Sequence, residues 1–143
     1  MRLDSPIRLE IPSNPAVLFL VRAMVKRLGE RLGFSDDQVQ RMTLAIDEAC
    51  TNVIRHAYRN RPGERMVISF LIHPKQLEIQ IRDFGQTAPP EALQPRDLSQ
   101  VRPGGLGLHF IREGMDEVHY ETPQDGGGLL RLIRYRPQPR ILR

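Results

Sequence analysis

The sequence predicts a two-layer α/β sandwich in which helices cover one face of a mixed, mostly antiparallel β-sheet. A length of 143 residues suits one domain, so we expect a single domain over residues 1–143. The order of periodic segments is strand, two helices, two strands, a stretch without pattern, helix and two strands. Apolar and polar residues alternate over 76–82, which is typical of a sheet with one face toward water.

The first half of the chain predicts one strand and two helices. Residues 7–11 alternate between apolar and charged side chains, as a half-buried strand does. Asn14-Pro15 is typical of an N-cap followed by proline at the first helical position, and Gly33 ends that helix. Residues 35–38 form a capping box for a second helix, whose apolar spacing continues to about Tyr58.

The second half predicts four strands, one helix and one long loop. Residues 66–73 and 76–82 form a pair of strands around a tight turn. Periodicity is lost over about 84–105, where prolines recur, and such a stretch is usually a functional lid or a disordered loop. A helix over 106–114 and strands over 117–121 and 129–136 complete the predicted order.

Composition excludes several classes of protein. Cys50 is the only cysteine, which excludes an internal disulfide framework and a cysteine-rich zinc site. The longest apolar run, residues 16–21, is far shorter than the roughly 20 residues of a membrane span. We see no signal peptide either, so we expect a cytoplasmic protein without a membrane partner.

The basic charge balance leaves nucleic acid as an alternative partner. The net charge is +4, and arginine supplies almost all of the positive charge. The arginines are scattered except near the C-terminus, where five lie between Arg131 and Arg143. That stretch could touch phosphate or form a solvated strand edge and tail. We expect no direct nucleic-acid contact, because net charge alone indicates solubility and nonspecific attraction.

The second predicted helix carries three polar side chains four residues apart: Glu48, Asn52 and His56. This spacing stacks them along one stripe on the flank of the apolar face. A flank position can line a cleft. Taken alone, however, a solvated helix face is the more common explanation of such a stripe.

Two further motifs each allow a functional and a structural interpretation. Asp83-Phe84-Gly85 ends a strand, where a carboxylate can accept a hydrogen bond from a ligand and glycine allows close approach, although a simple turn also uses these residues. Residues 102–108 form a glycine-rich loop that opens a helix, which is a ready anion site. That loop is neither a Walker A motif nor a dinucleotide-binding fingerprint.

Together, these motifs resemble those of the GHKL (Bergerat-fold) ATPases, in the form found in anti-sigma-factor serine kinases. Residues 44–58, LAIDEACTNVIRHAY, look like the N box of that family. Residues 81–85, IRDFG, look like its first glycine box, and residues 104–111, GGLGLHFI, look like its second. The resemblance covers nearly the whole chain and implies the Bergerat ATP-binding fold.

The resemblance also implies a role for each matching residue. Asn52 would bind a Mg²⁺ ion that bridges the ATP phosphates, and Glu48 would be the catalytic general base. Asp83 would accept a hydrogen bond from the adenine amino group, while Gly85 would give the ring room. His56 would be a supporting or structural residue. The nucleotide phosphates would be held by the second glycine box and a nearby arginine, namely Arg102, Gly104, Gly105, Leu106, Gly107 and Leu108.

By the same resemblance, the protein would be an ATP- and Mg²⁺-dependent serine/threonine kinase that regulates transcription as a homodimer. It would phosphorylate an anti-sigma-factor antagonist on serine and sequester a sigma factor. Two departures favour the alternative of a nucleotide-binding switch without kinase turnover. Thr87 stands where the family has a second glycine, and residues 126–130 offer no hydroxyl to the adenine pocket.

Overall fold

The computed structural model describes residues 1–85 and 106–138 of the chain. Its strands are β1 (Ile7–Pro12), β2 (Arg65–Ile72), β3 (Gln76–Asp83), β4 (Glu117–Glu121) and β5 (Gly128–Tyr135). Its helices are α1 (Leu18–Arg31), α2 (Asp36–Ala57) and α3 (Leu106–Gly114). The predicted order of elements is confirmed. Apart from Phe84 and Gly85, the predicted lid lies outside the described residues.

Local sequence signals place the start of α2 and the end of α1 correctly, but they place the start of α1 too early. Asn14 caps a short 3-10 turn at Pro15–Val17, so the α-helix itself starts only at Leu18, three residues later than proline at the first position predicts. Gly33, with a φ of +88°, follows the end of α1. The Ser35 hydroxyl accepts from the Gln38 amide at 3.2 Å, and the Gln38 side chain accepts from the Ser35 amide at 2.9 Å. The predicted capping box is therefore confirmed.

The strands form one sheet in the order β1-β2-β3-β5-β4. Every pair of neighbouring strands in the described sheet is antiparallel, so the expectation of a mixed sheet is corrected to a fully antiparallel one. The helices cover one face, and the core lies between them and the inward side chains of the sheet. Its largest fully buried members include Phe70, Met42, Ile46, Ile68 and Ile79.

The outer face of the sheet is less open than alternation alone predicts. Glu78 points away from the helices, yet only 4% of it is exposed. The Arg131 guanidinium covers it, with Nη2 2.9 Å and Nε 3.3 Å from the two carboxylate oxygens. Gln80 donates to the same carboxylate at 2.5 Å. An ion pair between neighbouring strands therefore buries a residue that its sequence position predicts to be exposed.

The C-terminal arginines in the described part of the chain take part in contacts within the protein. Arg131 pairs with Glu78 and Glu121, and Arg134 pairs with Asp116. Arg136 donates to the His73 carbonyl at 2.7 Å. Because β5 lies between β3 and β4, Arg131 and Arg134 lie on an interior strand, which corrects the expectation of a solvated strand edge for this part of the stretch. Among the described helices, none is long and apolar enough to cross a membrane.

Candidate nucleotide-binding site

Asp83 is a buried carboxylate at the end of β3, on the face of the sheet that the helices cover. Its cross-strand neighbours are Met66 on β2 and Gly128 on β5, and only 3% of the residue is exposed. The Gly85 amide donates to Oδ1 at 3.1 Å. Burial raises the pKa of Asp83 above its ordinary value, although the Gly85 amide, the Arg82 charge and the Gly128 amide act in the opposite direction. Among the described residues, the carboxylate thus accepts from a backbone amide and forms no ion pair.

Tyr58 connects the end of α2 to the strands beside Asp83. Its side chain is 2% exposed, and its hydroxyl donates to the Arg65 carbonyl at 2.5 Å. The same hydroxyl accepts from the Phe84 amide at 2.7 Å. Tyr58 therefore positions the turn that follows Asp83. The sequence marked it only as the end of a helix, since no local pattern reveals a bond to a residue 26 positions away.

Gly85 allows this turn to lie directly against α2. A Cβ at this position would lie 2.5 Å from the Ala57 carbonyl oxygen and 3.2 Å from the Tyr58 ring. Any side chain there would push the strand end away from the helix. Packing against α2 is thus sufficient to explain the glycine, and the expected room for an adenine ring stays a prediction.

The predicted polar stripe lies on α2, as the helical spacing requires. Glu48 and Asn52 are half-buried, whereas His56 is exposed in the last turn. Ala45, Ala49 and other apolar neighbours on the same helix are buried in the core. The stripe therefore flanks the core, which is where a helix can line a cleft. In residues 1–85 and 106–138, no cluster of three or more His, Cys, Asp or Glu side chains forms a metal site.

The second glycine-rich motif opens α3, as predicted. The helix begins at Leu106, so Leu106, Gly107 and Leu108 form its first turn, whose backbone amides have no partners within the helix. At the other end, a Cβ on Gly114 would lie 2.5 Å from the Ala45 Cβ, which brings α3 close to α2. The remaining predicted phosphate contacts, Arg102, Gly104 and Gly105, lie outside the described residues.

Arg82 organises the loop between β4 and β5 on the other side of Asp83. Its Nη1 donates to the Asp83 carbonyl at 2.7 Å and to the Gly126 carbonyl at 2.8 Å, and Nη2 pairs with Asp125 at 3.1 Å. The guanidinium also stacks 4.4 Å from the centre of the exposed Phe84 ring. This role was not predicted, because alternation assigned Arg82 only to the outer face.

Comparison with known proteins gives one family and a consistent set of relatives. Residues 11–134 match the histidine kinase-like ATPase domain. A serine-protein kinase RsbW from Halalkalibacterium halodurans is 34% identical, over 94% of this chain and 87% of the relative. Proteins of the same name from Bacillus pumilus and Bacillus thuringiensis are 28% and 31% identical, over 94% and 90% of this chain and 88% and 84% of the relatives.

Proposed function

Because this chain belongs to the family of the histidine kinase-like ATPase domain and to the RsbW-type serine-protein kinases, we propose that it is an ATP-dependent protein serine kinase that acts as an anti-sigma factor. The observation that carries the proposal is Asp83. It is a buried carboxylate without a salt bridge among the described residues, and it lies beside the helix that bears Glu48 and Asn52. A buried carboxylate whose pKa is raised, in such a place, is typical of a binding site.

In the proposed site, Asp83 recognises the adenine ring and Glu48 is the general base for phosphoryl transfer. The Asp83 carboxylate accepts a hydrogen bond from the adenine amino group. Glu48 accepts the proton of the attacking serine hydroxyl, whose oxygen bonds to the γ-phosphorus. The bond from that phosphorus to the β–γ bridging oxygen breaks, and ADP leaves. Such a reaction depends mainly on positioning and electrostatics, so one base and a set of charge contacts are sufficient.

Asn52 is the proposed protein ligand of Mg²⁺. Its amide oxygen is a hard donor, half-buried and one helical turn from the Glu48 carboxylate, which fits a small ion with a preference for oxygen. When bound, Mg²⁺ would neutralise phosphate charge. One protein ligand is chemically adequate, because Mg²⁺ usually keeps several waters and binds substrate phosphates rather than a complete protein cage.

The first turn of α3 is the proposed phosphate site. The amides of this turn have no partners within the helix, and with the positive end of the helix dipole they favour an anion. We assign Gly104, Gly105, Gly107 and the backbone of the neighbouring leucines to this contact, with Arg102 as a further positive charge.

The proposed protein partners are an antagonist that accepts phosphate on serine and a sigma factor held by the kinase, which we propose to be a cytoplasmic homodimer. These partners rest on the resemblance to the anti-sigma-factor kinases. The names of the relatives supply the acceptor chemistry, since they are serine-protein kinases.

A transfer assay tests the proposed function. The purified chain is incubated with radiolabelled ATP, Mg²⁺ and a purified candidate anti-sigma-factor antagonist, and phosphoserine is mapped by mass spectrometry. We expect transfer by the wild type and its loss in Glu48→Gln. Asp37→Asn is the matched control, because Asp37 is an exposed carboxylate in the first turn of the same helix. Nucleotide binding without transfer would instead favour the switch without turnover.

A further inference from the structure

Gly128 separates Asp83 from a tyrosine on the neighbouring strand. Asp83 pairs with Gly128 across β3 and β5, and Tyr120 on β4 pairs with Leu130, two residues further along β5. All of these side-chain positions lie on the inner face of the sheet. A Cβ built on Gly128 would lie 2.7 Å from the Tyr120 hydroxyl oxygen and 2.8 Å from Asp83 Oδ2. The two oxygens therefore flank a single point above the glycine.

The absence of a side chain at position 128 is what admits the tyrosine. The same Cβ would also lie 3.0 Å from Cε2 of the Tyr120 ring, so even alanine would crowd the ring. Gly128 has no positive φ, so its backbone conformation does not require glycine. Steric room for Tyr120 and for the Asp83 carboxylate accounts for it. Tyr120 thus supplies a hydroxyl at a point where residues 126–130 have none.

The phenol of Tyr120 is a hydrogen-bond donor at neutral pH. Burial raises its pKa, and the nearby Asp83 charge raises it further. The Thr122 side chain and the Arg82 charge act in the opposite direction but do not outweigh burial. A carboxylate acceptor and a phenol donor therefore stand side by side on the inner face of the sheet.

We propose that Tyr120 is a second base-recognition residue, which donates its hydroxyl proton to the N1 nitrogen of adenine while Asp83 accepts from the adjacent amino group. The proposal rests on the proposed function, since it assumes that ATP binds at Asp83. Adenine presents a donor and an acceptor next to each other on this edge, and guanine presents them in the opposite order. The pair of residues thus favours a 6-aminopurine such as adenine over guanine.

The test compares binding of ATP and 1-deaza-ATP, in which a carbon replaces N1, to the full-length protein by isothermal titration calorimetry. We expect the wild type to bind 1-deaza-ATP about 2- to 10-fold more weakly, as loss of one hydrogen bond implies. Tyr120→Phe should bind ATP more weakly by a similar factor and should no longer distinguish the two nucleotides. Tyr135→Phe is the matched control, because that hydroxyl contacts Glu117 on the outer face, and it should behave as the wild type.

A Tyr120→Phe protein that still distinguishes the nucleotides as the wild type does would overturn the inference and leave the proposed kinase standing. A wild type that binds neither nucleotide would overturn both. A second pair of variants tests the steric argument. Gly128→Ala should lower the melting temperature of the wild type and do so less in a Tyr120→Val background. Equal losses in both backgrounds would show that the ring does not require the glycine.

Discussion

Two buried carboxylates on the same strand, Glu78 and Asp83, have opposite surroundings. Both lie on β3, with 4% and 3% of the residue exposed, but on opposite faces of the sheet. Glu78 is matched by the Arg131 guanidinium and the Gln80 amide. Asp83 accepts a hydrogen bond from the Gly85 amide and feels the Arg82 charge and the Gly128 amide, but it has no ion-pair partner among the described residues. Within the described part of the chain, one carboxylate is therefore paired with an arginine and the other is not.

The pKa shifts follow from this difference. Burial opposes ionisation of Glu78, but the hydrogen bonds from Arg131 and Gln80 outweigh it and lower the pKa of Glu78 below its ordinary value. For Asp83, burial prevails and the pKa is raised. A carboxylate that is paired inside the protein stabilises the structure, whereas one that is buried with little compensation is available to a ligand. Burial alone does not separate a structural from a functional carboxylate; the partner does.

The largest effect should be on nucleotide affinity. Asp83→Asn replaces the acceptor with an amide and should weaken ATP binding roughly 10- to 100-fold, since hydrogen bonds to charged groups are worth about 1.5–3 kcal/mol. Glu78→Gln should leave ATP affinity unchanged. Titration calorimetry of both variants measures this. A similar loss of ATP affinity in both variants would mean that the different surroundings of Glu78 and Asp83 do not distinguish a structural from a ligand-binding carboxylate.

The second-largest effect should be on stability, and here Glu78→Gln should cause the larger loss and Asp83→Asn the smaller. Glu78→Gln removes one partner of a buried ion pair and should lower the free energy of unfolding by about 1–3 kcal/mol. The lower end is favoured because Arg131 retains Glu121. Asp83→Asn should change it much less. Urea unfolding followed by circular dichroism tests this, and a larger loss in Asp83→Asn would reverse the assignment.

The smallest effect should be on the pH dependence of stability. Folding lowers the pKa of Glu78. Its contribution to folding stability is therefore present at pH values above its unfolded pKa of roughly 4.3, and it is lost as the pH falls through the folded pKa. Folding raises the pKa of Asp83. Its contribution to folding stability is therefore present at pH values below its unfolded pKa of roughly 3.9, and it is lost as the pH rises through the folded pKa.

Unfolding free energies measured between about pH 3 and pH 7 therefore distinguish the effect of Glu78 from that of Asp83. Each pKa unit by which folding shifts a group changes the free energy of unfolding by about 1.4 kcal/mol. The stability difference between wild type and Glu78→Gln should grow as the pH rises. The difference between wild type and Asp83→Asn should shrink over the same range. Parallel curves for the two variants would contradict the opposite shifts.

Local signals predicted most of the fold and part of the site. The capping box at Ser35, the stop at Gly33 and the existence of strand β3 depend on neighbouring residues, and each is confirmed. The order of elements and the family followed from motifs that are short in sequence. The roles of Glu48, Asn52 and Asp83 stay predictions, since they require a bound nucleotide to test.

The expectations that were wrong or missing depend on contacts between distant residues. Glu78 was expected to be exposed to solvent, but strand pairing places Arg131, which is 53 positions away, over its carboxylate. Tyr58 and Arg82 were not singled out, because their partners come from other strands and loops.

The sequence by itself determined the elements, their order, the family and the position of Asp83 at a strand end. Those features depend on side-chain periodicity, capping and short motifs, which act over a few residues. Only the tertiary structure decided which buried carboxylate gains an arginine and which lies beside Gly128 and Tyr120. Strand register sets those neighbours, and register is fixed by packing of the whole sheet against its helices.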